Sequence, residues 1–151
     1  MSTAVIVTTY NRPDALALVI EGYFAQTHRD FELLIADDGS RDDTRALIEG
    51  YARRAPFALR HVWQEDTGFR PGAARNRAAA ATHADYLIFA DGDCVPAPAF
   101  VSRHLALAER GWFLSGNRVL LSPDFTREVL ASRMPIHAWS ASRWMRSEEH
   151  T

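Results

Sequence analysis

Four short apolar runs, at residues 4–8, 31–36, 59–63 and 86–90, alternate along the chain with stretches whose apolar residues recur at helical spacing. Short connections between strand and helix favour an α/β fold with a mostly parallel sheet and helices on both faces. Three of the four runs end in polar clusters, at residues 8–11, 37–40 and 91–93. In such sheets ligands collect outside the carboxyl ends of the strands, so the three clusters are expected to share one site.

The intervening segments follow the same logic. Pro13 suits the first turn of a helix that carries Leu16, Val19, Ile20, Tyr23 and Phe24 on one face. Ser40 with Asp43 three residues later has the spacing of a capping box, opening a helix with Leu47, Ile48 and Tyr51 inward. The alanine-rich stretch 71–82 predicts a helix thin enough to pack closely on a sheet, and Val101, His104, Leu105 and Ala108 mark another. A last strand is expected within 112–121, and a helix over 126–134 that ends near Pro135.

Composition removes several classes of function. A net charge of −2 supplies no broad basic field, which argues against nucleic acid and requires a local site or a cation to grip any anionic ligand. All 17 basic residues are arginine, so Schiff-base chemistry and the lysine of a Walker A loop are excluded. The single Cys94 forms no internal disulfide, and no apolar window is long enough to span a bilayer. A cytoplasmic placement follows, with peripheral association at the inner face of the membrane left open.

The chemistry is concentrated at the polar clusters. Asp91 and Asp93 flank Gly92, whose missing side chain lets a diphosphate and its cation approach the backbone. Oxygen ligands of this kind suit Mg²⁺ or Mn²⁺. Of Asp37 and Asp38, one is expected to cap the following helix and the other to be spare for a ribose or base. Thr8, Thr9, Tyr10 and Asn11 offer a polar lip with an aromatic face. Gly72-Ala73-Ala74-Arg75-Asn76-Arg77 brings guanidinium groups beside small residues, with Arg75 the better candidate for phosphate. His61, His83 and His104 have no metal-ligand spacing, and Cys94 reads as a packed thiol. Trp139 and Trp144 fit either a core or an acceptor groove.

Val5-Ile6-Val7-Thr8-Thr9-Tyr10-Asn11-Arg12, Ala36-Asp37-Asp38-Gly39-Ser40, Gly72-Ala73-Ala74-Arg75-Asn76 and Asp91-Gly92-Asp93, taken in series, resemble family 2 glycosyltransferases of the GT-A fold. The runs Gln64 to Arg70 and Ser115 to Val119 are similar to the bacterial polysaccharide and lipopolysaccharide-core branch. The resemblance implies a nucleotide-sugar donor, usually a UDP-sugar, and a saccharide or glycolipid acceptor, with inversion at the anomeric carbon. It implies that Thr8, Tyr10, Asn11, Arg12, Asp38, Gly72, Arg75, Asp91 and Gly92 hold the donor. Asp93, with Asp91, would bind the Mn²⁺ or Mg²⁺.

The family's acidic base motif is not found, so no catalytic residue is assigned; Asp124 and Glu128 are the acids in the right general region. Residues 1–121 are therefore read as a donor-binding subdomain and 122–145 as the start of an acceptor side. Residues 146–151 read as a non-native tail, like a translated sequencing adapter, on a C-terminally truncated chain. Two alternatives stand beside transfer. One is a nucleotide-sugar-binding module without activity. The other is a haloacid-dehalogenase-type phosphatase, suggested by Asp91-Gly92-Asp93-Cys94-Val95 and opposed by the absence of lysine.

Overall fold

The structure is a computed structural model and describes residues 1–140 and 142–144. Its centre is a four-stranded parallel sheet in the order β3-β2-β1-β4, built from β1 (Thr3–Thr9), β2 (Glu32–Asp37), β3 (Leu59–Trp63) and β4 (Tyr86–Asp91). Each strand lies within one or two residues of the apolar run that predicts it. The register pairs Thr8 with Ala36 on one side and with Asp91 on the other, so the polar tips emerge side by side at one end of the sheet.

Alternation along the strands sorts two cores. Val5, Val7, Leu33 and Ile35 face α1 (Pro13–Phe24) and α2 (Asp42–Ala52), with Leu16, Ile20, Tyr23 and Ile48 closing over them. Ala4, Ile6, Leu34 and Ala36 face α3 (Pro71–Ala80), whose Ala74 and Ala78 are buried against them. Helices on opposite faces thus cover the sheet, and each fully buried aliphatic side chain contributes about 1.5–3 kcal/mol relative to exposure. The small side chains of α3 bring its backbone close to the sheet, which matters because Arg75 projects from this helix.

The segment after β4 is pinned to α1. A Cβ on Gly22 would stand 2.7 Å from Pro96 Cδ, so the two chains touch at backbone range. Gln26 Nε2 donates to the Gly22 and Ala97 carbonyls, and its Oε1 accepts from the Val101 amide at the start of α4 (Phe100–Leu107). A third cluster sets Val129 of α5 (Pro123–Ser132) and Ile136 against Leu18 on α1, with Phe125, Trp139 and Trp144 packed around them. The two tryptophans belong to this packing.

Three expectations are corrected. Residues 112–121 form no strand: Trp112, Phe113, Val119 and Leu120 are exposed, and no described strand lies beside them, so β propensity has nothing to act on. The capping box at Ser40 and Asp43 does not form either. The α2 N-cap is Arg41 without a side-chain bond, because Ser40 Oγ accepts from the Asn11 amide at 2.8 Å and Asp43 turns to the Thr44 amide. The helix expected over 126–134 begins earlier, at Pro123, where Ser122 Oγ accepts from the Phe125 amide. Residues 146–151 lie outside the described residues.

Candidate functional site

The sequence brings three loops to the carboxyl end of the sheet, and Arg75 ties two of them together. From α3 its Nε donates to Thr8 Oγ1 at 2.8 Å and its Nη2 to Asp91 Oδ1 at 2.7 Å. The fork geometry of a guanidinium makes this double bond possible from one side chain. Arg118 approaches the other oxygen of Asp91, with Nη1 3.8 Å from Oδ2.

Asp93 points outward from the same turn, exposed, and Cys94 Sγ lies 3.6 Å from its Oδ1. Asp91, Asp93 and Cys94 can each present one ligand atom with all three within 4.8 Å of one another. Gly92 is buried between them, and a Cβ there would meet the Thr8 carbonyl oxygen at 2.7 Å. Glycine is thus required by close packing of the turn on β1 rather than by room for a ligand, and the Asp91 and Asp93 carboxylates stand near enough to share a hard cation.

Neither Asp37 nor Asp38 caps α2, and neither is spare. Asp37 is fully buried, accepting from the Ser40 amide and from His61 Nε2 at 2.7 Å. Asp38, 2% exposed, accepts from Gln64 Nε2 at 2.6 Å through one oxygen and from the Arg70 amide at 2.7 Å through the other. Its carboxylate thereby fixes the loop 64–70. Gly39 beside it adopts φ +98°, and a Cβ there would strike Asp66 Cα at 2.6 Å, so only glycine lets this loop close on β2.

That loop makes a cleft of about 90 Å³ lined by Tyr10, Asp38, Asp66, Gly68 and Phe69. The Tyr10 hydroxyl donates to Asp66 Oδ2 at 2.9 Å, and this bond raises the phenol's pKa. Phe69 is 90% exposed, an apolar ring presented to solvent beside the cleft. Asp66, Gln64 and Phe69 did not stand out as site residues from local pattern; their signal is the polar-aromatic run Gln64 to Arg70.

The remaining candidates divide. Asn11 adopts φ +48° and links loops, its amide donating to Ser40 Oγ and its Oδ1 accepting from the Arg41 amide. Arg12 is exposed and paired with Asp14 at 2.9 Å; that hydrogen bond raises its pKa, and Asp93 lies close enough to add to it. Gly72, in the first turn of α3, stands open: a Cβ placed there would meet no atom within 4 Å. Asp124 and Glu128 lie exposed on α5, with Asp124 held by Arg127. His61 serves the buried Asp37, and His104 is bonded to the Tyr86 hydroxyl, where burial lowers its pKa.

A parallel α/β sheet with an acid-glycine-acid turn beside a guanidinium and an aromatic cleft defines the GT-A class of glycosyltransferase fold. Residues 4–150 match the model of Glycosyl transferase family 2. The chain belongs to that family. It is 36% identical over 104 residues to the hyaluronan synthase of Pasteurella multocida, covering 68% of this chain and 10% of that protein. It is likewise 36% identical over 105 residues to a validoxylamine A glucosyltransferase of Streptomyces hygroscopicus subsp. jinggangensis, covering 68% and 24%. A crystal structure of S. aureus TarS 1–349 superposes with a TM-score of 0.60 at 25% identity, covering 70% of this chain and 32% of that one. In complex with UDP the same protein matches at 0.52 and 27%, covering 62% and 28%. The chain thus spans between a tenth and a third of the length of these relatives. Among the described residues, no helix is long and apolar enough to cross a membrane.

Proposed function

We propose that these residues bind the donor of a metal-dependent, inverting glycosyltransferase that uses a nucleoside-diphosphate sugar, specifically a UDP-sugar. The observation that carries this reading is the Thr8–Arg75–Asp91 bridge between neighbouring strand ends, with an aromatic cleft on one side and the Asp93 carboxylate on the other. UDP bound to the 27% identical TarS domain supports the choice of nucleotide. A relative named for hyaluronan synthesis supports a saccharide acceptor in a cell-surface polysaccharide or lipopolysaccharide. Such donors and acceptors are consistent with the cytoplasm and the inner face of the membrane.

Tyr10 and Phe69 line the cleft, and a nucleobase would stack against them there. Asp38 acts behind them by holding the loop. Arg75 and Arg12 would contact the diphosphate oxygens, and Asp91 orients Arg75. Asp93, with Asp91, holds Mn²⁺ or Mg²⁺; when bound, the cation neutralises charge on the departing nucleoside diphosphate. Residues 1–121 carry these functions, and residues 122–145 lead to the acceptor side. A phosphatase mechanism has less support: the sequence contains no lysine to counter charge on a phosphoaspartate.

Calorimetry with UDP and Mn²⁺ tests the reading. Binding heat is expected with the wild-type chain and a loss of at least about 10-fold in affinity with Asp93→Ala, the scale of removing a ligand from a cation site. No heat with wild type, or equal affinity in the variant, overturns it.

A further inference from the structure

Arg75, Arg12 and Arg118 bring guanidinium groups to the carboxyl end of the sheet, and they are not equally engaged. Arg75 commits Nε to Thr8 and Nη2 to Asp91. Arg12 commits Nε and Nη2 to Asp14 at 2.9 and 3.3 Å. Arg118 meets Asp91 Oδ2 with Nη1 at 3.8 Å, outside hydrogen-bond range, and its side chain is 66% exposed. Its charge stands beside the acidic turn without being bonded to it.

The chain that carries Arg118 is built as a strap. At one end, α4 is fastened through the Gln26 Oε1 bond from the Val101 amide. At the other, Leu121 packs against the cluster of Leu18, Val129 and Ile136, and Ser122 caps α5. Between these anchors residues 112–120 have no regular structure, and Trp112, Phe113, Val119 and Leu120 are exposed. Gly111 takes φ +87°, and a Cβ on Gly116 would meet no atom within 4 Å. A shift of Arg118 therefore breaks no core packing, and its contact with Asp91 is weak because both side chains are more than a third exposed.

Charge decides where Arg118 is drawn. The Arg12–Asp14 pair is neutral within itself, and Arg75 and Arg118 balance Asp91 and Asp93. A divalent cation on the two carboxylates would leave both arginines uncompensated. A diphosphate then offers Arg118 a charge-assisted, forked pair in place of a loose contact.

We propose that Arg118 is a diphosphate-binding residue of the donor site, resting against Asp91 while no anion is bound and passing to the phosphate oxygens when the nucleotide enters. The exchange frees Asp91 Oδ2 and leaves Asp91 Oδ1 with Arg75, so the Thr8–Arg75–Asp91 bridge stays intact. The assignment rests on reading this end of the sheet as the donor site.

The test is calorimetry of UDP with saturating Mn²⁺ on the full 151-residue chain. Arg118→Gln is expected to lower UDP affinity by about 10-fold or more, the scale of one hydrogen bond to a charged group, with Arg118→Lys in between. Urea unfolding of both variants should match wild type, because the side chain is exposed. A second measurement needs no variant: trypsin cleavage of wild type after Arg118, followed by mass spectrometry. With UDP at about ten times its Kd, cleavage there is expected to slow by about 10-fold, and cleavage after the exposed Arg110 by less than about 2-fold. Unchanged UDP affinity in Arg118→Gln overturns the proposal, and so does equal protection after Arg110 and Arg118. UDP heat in wild type that Arg118→Gln retains in full sinks Arg118 alone. No heat in wild type sinks the donor reading and Arg118 with it.

Discussion

Arg75 Nη2 meets Asp91 Oδ1 at 2.7 Å, joining a helix on one face of the sheet to the tip of its edge strand. The same guanidinium holds Thr8, so one side chain bridges the ends of two strands that the ladder already pairs at Thr8 and Asp91. Arg75→Lys keeps the charge and loses the fork. UDP affinity in the presence of Mn²⁺ is expected to fall by about 10-fold or more in Arg75→Lys, measured by calorimetry. Stability changes by no more than about 1 kcal/mol, because both partners are more than a third exposed and solvent screens the pair. Equal affinity for the two proteins would remove Arg75 from the site.

Gly92→Ala places a Cβ 2.7 Å from the Thr8 carbonyl and 3.2 Å from Thr9 Oγ1. The first contact is with backbone of a central strand, which cannot swing aside. The variant should lose about 1–3 kcal/mol of unfolding free energy by urea denaturation, the usual penalty of overpacking. It should also lose Mn²⁺-dependent UDP binding. A variant as stable as wild type would show that the turn yields.

Asp38→Asn breaks one of two bonds, since an amide oxygen accepts while its nitrogen faces another donor. Destabilisation of about 1–3 kcal/mol is expected from the unsatisfied group. Amide hydrogen exchange at Arg70 should rise, because the Arg70 amide is bonded to Asp38. Asp93→Asn, on an exposed side chain, should weaken cation binding with little change in stability. The pair of variants separates support of the loop from contact with the ligand.

Asp37 gives the fold an acid limit. Burial by itself would raise this carboxyl, but hydrogen bonds from His61 and Ser40 outweigh it and hold its titration below the usual range. A carboxyl depressed in the folded state stabilises the protein above its unfolded pKa of about 3.9, and that stability is lost as pH falls through the folded value. Wild type should therefore lose more unfolding free energy between about pH 5 and about pH 3 than Asp37→Asn does. Asp14 and Asp85, whose carboxyls are also held low, are present in both proteins and cancel in the difference. Equal losses in urea titrations at the two pH values would contradict the sign.

The strands were legible because period-two burial and polar ends are local properties of each run. Ile6 and Ile35 announce opposite faces by position alone. The acids were harder. Asp38 looks free in the sequence because its partners, Gln64 and Arg70, lie 26 and 32 residues downstream. Ser40 has the composition and spacing of a cap, yet tertiary contact with Asn11 claims its hydroxyl first. Residues 112–121 have strand composition without a neighbour, and composition does not supply one. Arg75 was readable because its helix is rich in alanine and offers few other long side chains able to reach across.

The Gln26 amide, which fastens the stretch after Cys94 to the first helix, has a counterpart in what it leaves unfastened. The loop bearing Phe69 is tied to the sheet by polar bonds instead, from Asp38 to Gln64 and Arg70 and from Tyr10 to Asp66. Apolar packing thus steadies one side of the acidic turn and hydrogen bonds the aromatic side, so a change at Asp38 would be felt first at Phe69 and not at the turn.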